Sequence, residues 1–270
     1  MSDQYLHGRS QEEQLRLDTQ ANFLERMIHD PLDLSHVRHL LEIGVGVGAQ
    51  TRLLLQKYPQ LRVLGVDVSD EQIVKARENL GEIPEVSGRY ELMRADAMSG
   101  PIETSHALDG AFLCWVLEHV KEPLTVLENC RMALQPGSTI VVTEVYNQSQ
   151  YLHPDSPATM RYWRAFSQLQ ADLGGHPQIG AHLGDLLYKA GFTDIQVYPV
   201  YQHHDHRHPD RLRQMVAYFK ELLRSAWTQL LELNYIEVGL WGEVEAEMNR
   251  LVEHPDAIYY YSAFQATAKS

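Results

Sequence analysis

The chain has 270 residues, 36 acidic against 23 basic, for a formal net charge of −13, with 44% hydrophobic and 22% charged residues. That length can bury a sizeable core, and that balance is ordinary for a globular protein rather than a disordered one. The acidic excess without a basic stripe argues against a nucleic-acid partner, and no apolar run approaches the ~20 residues of a membrane span.

Taken in chain order, residues 10–30 read as a helix. Ser10 and Glu13 form an S-x-x-E capping box, Leu17, Ala21, Leu24 and Ile28 share one stripe, and Pro31 ends the run. Strands and helices then alternate: a strand over Val37–Ile43, a helix over 49–58, a strand over 62–68, and a helix capped at Ser69 and running to about Leu80. Further strands are expected over 90–95 and 108–115, a helix from Pro123 to Pro136-Gly137, and a β-branched strand over 139–145. Such alternation specifies a parallel sheet with helices on both faces.

Beyond residue 146 the spacing predicts a helix from Ser156-Pro157, a shorter one over 179–190 and a strand over 193–199. A His-rich loop at 203–208, helices over about 210–233 and 239–253, and a last strand over 258–268 follow. The expected fold is α/β: a doubly wound, mostly parallel sheet of seven strands. Its expected parts are an N-terminal helical segment at 1–36, a Rossmann-like core at 37–200, a helical insertion at 201–256 and a final antiparallel strand at 257–270. The two cysteines, Cys114 and Cys130, lie in apolar stretches and suit a reducing compartment. With a polar start (Met1-Ser2-Asp3-Gln4-Tyr5) unlike a signal peptide, the expectation is a cytoplasmic protein; a homo-oligomer is compatible with the sequence.

The stretch Glu42-Ile43-Gly44-Val45-Gly46-Val47-Gly48-Ala49 runs an apolar strand into a Gly-rich turn that opens a helix. Glycine serves a tight turn whose backbone must touch a ligand. Gly44, Gly46 and Ala49 also satisfy the dinucleotide G-x-G-x-x-A fingerprint, and Asp67, at the end of the second strand, is placed to accept ribose hydroxyls in either kind of site. Three later features distinguish them: Asp96-Ala97 after the third strand, Trp115-Val116-Leu117-Glu118-His119-Val120 after the fourth, and Leu134-Gln135-Pro136-Gly137-Ser138 before the fifth.

In this order the motifs resemble the class I S-adenosylmethionine (SAM)-dependent methyltransferases over about residues 37–145, especially the branch similar to ubiquinone and menaquinone biosynthesis methyltransferases. Ser138 departs from that family's final glycine. The resemblance implies SAM as cofactor. Gly44, Gly46 and Gly48 would approach its methionine moiety and Glu42 its amino group, directly or through water, Asp67 would hold the ribose, Val68 would pack on the adenine, and Asp96 and Ala97 would read the adenine edge. Cys114, within Leu113–Trp115, would line the methionine end. The start Tyr5-Leu6-His7-Gly8, the pair Gln20-Ala21 and the segment Tyr151-Leu152-His153-Pro154 are similar to a microbial subgroup with the same N-terminal helix, which implies that residues 1–36 form a lid bringing Tyr5 to the cofactor.

The implied activity is methyl transfer to O, N or C of a small-molecule acceptor, quinone-like or a secondary metabolite. His119 or His153 are candidates for a base, with Tyr146 and Tyr151 positioning the acceptor. The competing readings are a SAM-fold protein that binds SAM without methylating, and a nicotinamide oxidoreductase. The run His203-His204-Asp205-His206-Arg207-His208 reads as a solvated surface rather than a metal site, and Tyr259-Tyr260-Tyr261 as strand packing.

Overall fold

The structure, a computed structural model, describes Ala21 and residues 23–270. The proposed lid, with Tyr5 and the Ser10–Glu13 capping box, lies outside the described residues. A short helix α1 (Glu25–His29) leads into β1 (His39–Ile43), α2 (Ala49–Lys57), β2 (Arg62–Asp67), α3 (Asp70–Gly81), β3 (Tyr90–Arg94), β4 (Leu108–Cys114), α4 (Pro123–Ala133) and β5 (Leu134–Val145). β1 pairs in parallel with β2 and β4, β2 with β3, and β4 with β5. The chain therefore winds outward from β1 to β3, returns, and winds the other way from β4. That reversal opens a crevice between the carboxyl ends of β1 and β4, where open α/β sheets bind ligands.

Adjacent strand residues point to opposite faces. Leu40, Val63, Phe112 and Val141 enter one buried cluster, with Leu54, Leu55 and Leu80 from α2 and α3. Their neighbours Leu41, Leu64, Leu113 and Val142 enter the other, with Val126, Leu127 and Cys130 from α4. Ser69 caps α3, its Oγ accepting the Gln72 N–H at 3.4 Å.

The second half comprises β6 (Tyr151–His153), α5 (Pro157–Asp172), α6 (Leu183–Lys189), β7 (Thr193–Asp205), α7 (Pro209–Ser225), α8 (Trp227–Glu232), α9 (Leu240–Glu253) and β8 (Ile258–Lys269). The sheet has eight strands rather than the expected seven. β8 runs antiparallel to β5, β6 and β7. β7 pairs along the whole of β8, while β5 and β6 divide its other side. The extra strand, β6, is three residues long, too short to show alternation.

Two further expectations are corrected. β7 extends to Asp205, so His203 and His204 are strand residues paired with Tyr260 and Tyr259, and the helical insertion begins at Pro209 rather than 201. The turn after it is closed by Asp205, which accepts the Arg207 N–H at 3.0 Å and pairs with the Arg207 guanidinium at 2.8 Å. The helix expected over 210–233 is broken at Ala226 into α7 and α8.

No helix among the described residues is long and apolar enough to cross a membrane.

Candidate active site

A cavity of about 720 Å³ occupies the crevice and continues under α5 and α7. It falls within the usual 300–1,000 Å³ of small-ligand sites. One end is built by the loops after β1 to β4 and is lined by Gly44, Gly46, Asp67, Val68, Asp96, Ala97 and Cys114. The other is walled by Trp163 and Phe166 of α5, Tyr218 and Phe219 of α7, and Tyr259 and Tyr261 of β8.

The glycines of the first loop have different tasks. All three adopt positive φ: +75° at Gly44, +52° at Gly46 and +80° at Gly48. A Cβ on Gly44 would meet Val116 Cγ2 at 2.4 Å, and one on Gly48 would press on Leu80 and Ala76 of α3 at 3.1–3.3 Å. Those two are required by packing within the protein, and Gly48 does not line the cavity. A Cβ on Gly46 would meet nothing within 4 Å. Its bare face is open for a ligand to approach the backbone.

Asp67 is the last residue of β2. Its Oδ2 accepts the Gly46 N–H at 3.0 Å and its Oδ1 the Ser69 N–H at 2.9 Å. These two backbone bonds orient the carboxylate at the edge of the cavity. Beside it Val68 is 43% exposed although apolar. Asp96 closes its own turn, accepting Met98 N–H and Ser99 Oγ–H, both at 2.9 Å.

Glu42 does not itself line the cavity. It lies buried beneath, where Thr51 Oγ1 donates to it at 2.6 Å. Burial, with the Asp67 charge nearby, pushes its pKa up to about 8. Burial and neighbouring carboxylates likewise push the Cys114 thiol well up, which leaves it a neutral wall rather than a nucleophile.

Of the four acceptor-side candidates, His119 lines the cavity, its Nε2 3.6 Å from Glu118 Oε1. Tyr146, Tyr151 and His153 do not. Tyr146 sets its ring edge on Phe264 at 5.5 Å, Tyr151 is exposed, and His153 meets His254 edge-on at 5.6 Å. Tyr151 and His153 belong to the unforeseen strand β6, which pairs them with Tyr260 and Ile258 of β8.

Sequence reasoning missed the wall opposite. Gln170 Nε2 donates to Glu118 at 2.6 Å, Asn147 Nδ2 to Gln170 at 3.3 Å, and the Tyr261 hydroxyl to Asn147 Oδ1 at 3.4 Å. Trp163 Nε1 donates to the Asn147 carbonyl at 2.7 Å. The helical spacing of Trp163 and Phe166 was the available signal, but a helix face that packs and one that lines a cavity read alike. Among the described residues no cluster of His, Cys, Asp and Glu is arranged to hold a metal ion.

Comparison with known proteins places this geometry. The chain is similar to O-methyltransferase cnsE of Penicillium expansum, 31% identical over 176 residues, covering 64% of this chain and 59% of that protein, so the chain spans well under two thirds of that relative's length. Its fold is shared with Haemonchus contortus phosphoethanolamine N-methyltransferase 2 in complex with SAM (TM-score 0.57, 17% identity, 99% of this chain and 58% of that one). It is shared equally with the [4+2]-cyclase SpnF (TM-score 0.52, 22% identity, 94% and 81%), so the fold alone does not select the reaction. At the centre of the fold, residues 41–142 match the family model described as a methyltransferase domain.

Proposed function

We propose that this protein is a SAM-dependent methyltransferase acting on a small molecule. The observation that carries the reading is one continuous cavity at the sheet's switch point, joining the Asp67 and Asp96 end to an aromatic chamber at the other. The residues present fit the cofactor. Asp67 sets its carboxylate, oriented by two backbone N–H groups, against the cavity where ribose hydroxyls would lie, Val68 offers an apolar platform to a purine, Asp96 and Ala97 border the same end, and a Cβ at Gly46 would meet no protein atom within 4 Å. The likeness to cnsE and the methyltransferase-domain match support methyl transfer over the oxidoreductase alternative.

When bound, SAM supplies a methyl group on an electrophilic sulfonium. The protein's part is then chiefly to hold the acceptor in line and exclude water, which can account for most of the rate. His119 is the described histidine placed to take a proton from an acceptor that arrives protonated, and its neighbour Glu118 is placed to orient the ring.

Incubating the protein with methyl-labelled SAM and a metabolite extract should yield S-adenosylhomocysteine (SAH) together with a labelled small product, separable by mass spectrometry. Bound SAM with no SAH formed would instead support the non-methylating reading.

A further inference from the structure

Three features of the chamber end have no counterpart in cofactor binding. The first is its ring arrangement. Trp163 stacks on Phe166 (centroids 5.1 Å apart, 14° between planes), and Phe219 sets its edge against both Trp163 at 5.4 Å and Tyr259 at 5.5 Å. Each ring is fixed by the next, so the wall is rigid, apolar and suited to flat partners.

The second is a buried donor. Gln150, only 5% exposed, lines the cavity, and its Nε2 has no hydrogen-bond partner. Gln150 Oε1 accepts the Tyr259 hydroxyl at 3.3 Å, which fixes the amide with its NH₂ as the free end. A buried donor left unmade costs about 1–3 kcal/mol, and native proteins leave few without a reason. A ligand oxygen would recover that cost.

The third is charge. Among the described lining residues the one Lys or Arg is Lys121, which is exposed, whereas Glu118 is buried in the wall. A buried anion would have to shed its water beside a carboxylate, without a buried cation to pair with.

Resting on the methyltransferase reading, we propose that the acceptor is an uncharged molecule with fused or conjugated rings, bearing a carbonyl, hydroxyl or ether oxygen that takes a hydrogen bond from Gln150. Carboxylates and phosphates are rejected. Gln150 is thereby a specificity-determining residue.

Two probes of equal shape test this: 2-acetylnaphthalene, a neutral aryl ketone, and 2-naphthoate, its anionic counterpart. Each is titrated calorimetrically into the full-length protein saturated with SAH. The ketone should bind at least tenfold more tightly than the naphthoate. Gln150→Leu should weaken the ketone about tenfold while SAH affinity holds. Gln150→Glu, which keeps the oxygen that Tyr259 needs but removes the donor, should do the same, with circular dichroism confirming the fold of each variant. Equal or tighter binding of the naphthoate, no ketone binding, or variants that bind the ketone like wild type would each overturn the proposal. Failure of the wild-type protein to bind SAH would overturn the cofactor reading instead, and the same pair titrated without SAH would still decide the chamber.

Discussion

Glu144→Ala should lower stability by about 3 kcal/mol or more, a fall in Tm of at least about 6 °C for a chain of this size. Glu144 is 0% exposed near the end of β5. Its two oxygens accept three successive backbone N–H groups: Val116 at 2.8 Å, Leu117 at 2.6 Å and Glu118 at 3.3 Å. Burial and the nearby Glu118 push its pKa well up, while the three N–H groups pull it the other way. Removing the carboxyl leaves the buried Leu117 and Glu118 donors and the part-buried Val116 donor unmade, each buried one costing about 1–3 kcal/mol. The same segment presses Val116 against Gly44 and brings His119 to the cavity, so ligand affinity should fall with stability. Glu144→Gln, which retains one acceptor oxygen, should lose about half as much. Thermal unfolding by circular dichroism reads both, and a Glu144→Ala transition within a degree of wild type would contradict this role.

Gly46→Ala should separate binding from folding. The added Cβ meets no protein atom within 4 Å, so the folded state pays only for alanine at φ +52°, about 1–2 kcal/mol. The methyl group does, however, enter the cavity that Gly46 lines. Forcing a ligand past it should cost up to about 3 kcal/mol, a loss of affinity for SAH on the order of a hundredfold. Gly44→Ala makes the contrast, since its Cβ would collide with Val116 at 2.4 Å and should damage the fold itself. Titration of SAH into Gly46→Ala, alongside its melting curve, checks both halves. Unchanged affinity would mean that the ligand does not lie against this loop.

The first half of the fold was legible because its rules are local. Apolar strands, the Gly-rich turn and the Ser69 cap each act over a few residues, and Asp67 and Asp96 follow from where their strands end. The second half depends on distant partners. Glu247 of α9 accepts the N–H groups of Ala158 at 3.0 Å and Thr159 at 2.7 Å, capping α5 from 88–89 positions away. No local signal reveals such a cap, and Ser156, the apparent one, instead donates to the Pro154 carbonyl at 2.9 Å. His203–Asp205 looked like a loop because β7, paired along one side, exposes much of its surface and needs no apolar pattern. The chamber was hidden for the same reason: its rings come from α5, α7 and β8, about a hundred residues apart at the extremes, and each alone has the pattern of a packed core.

The central claim, that the carboxylate at the end of β2 holds SAM in this cavity, is tested most directly by calorimetric titration of SAM into wild-type protein and Asp67→Ala. Losing charge-assisted hydrogen bonds to the ribose should cost about 1.5–3 kcal/mol, so affinity should fall at least tenfold while the melting transition persists, and NADH should not bind either protein. Equal SAM affinity in the two proteins, or NADH binding in place of SAM, would contradict the account.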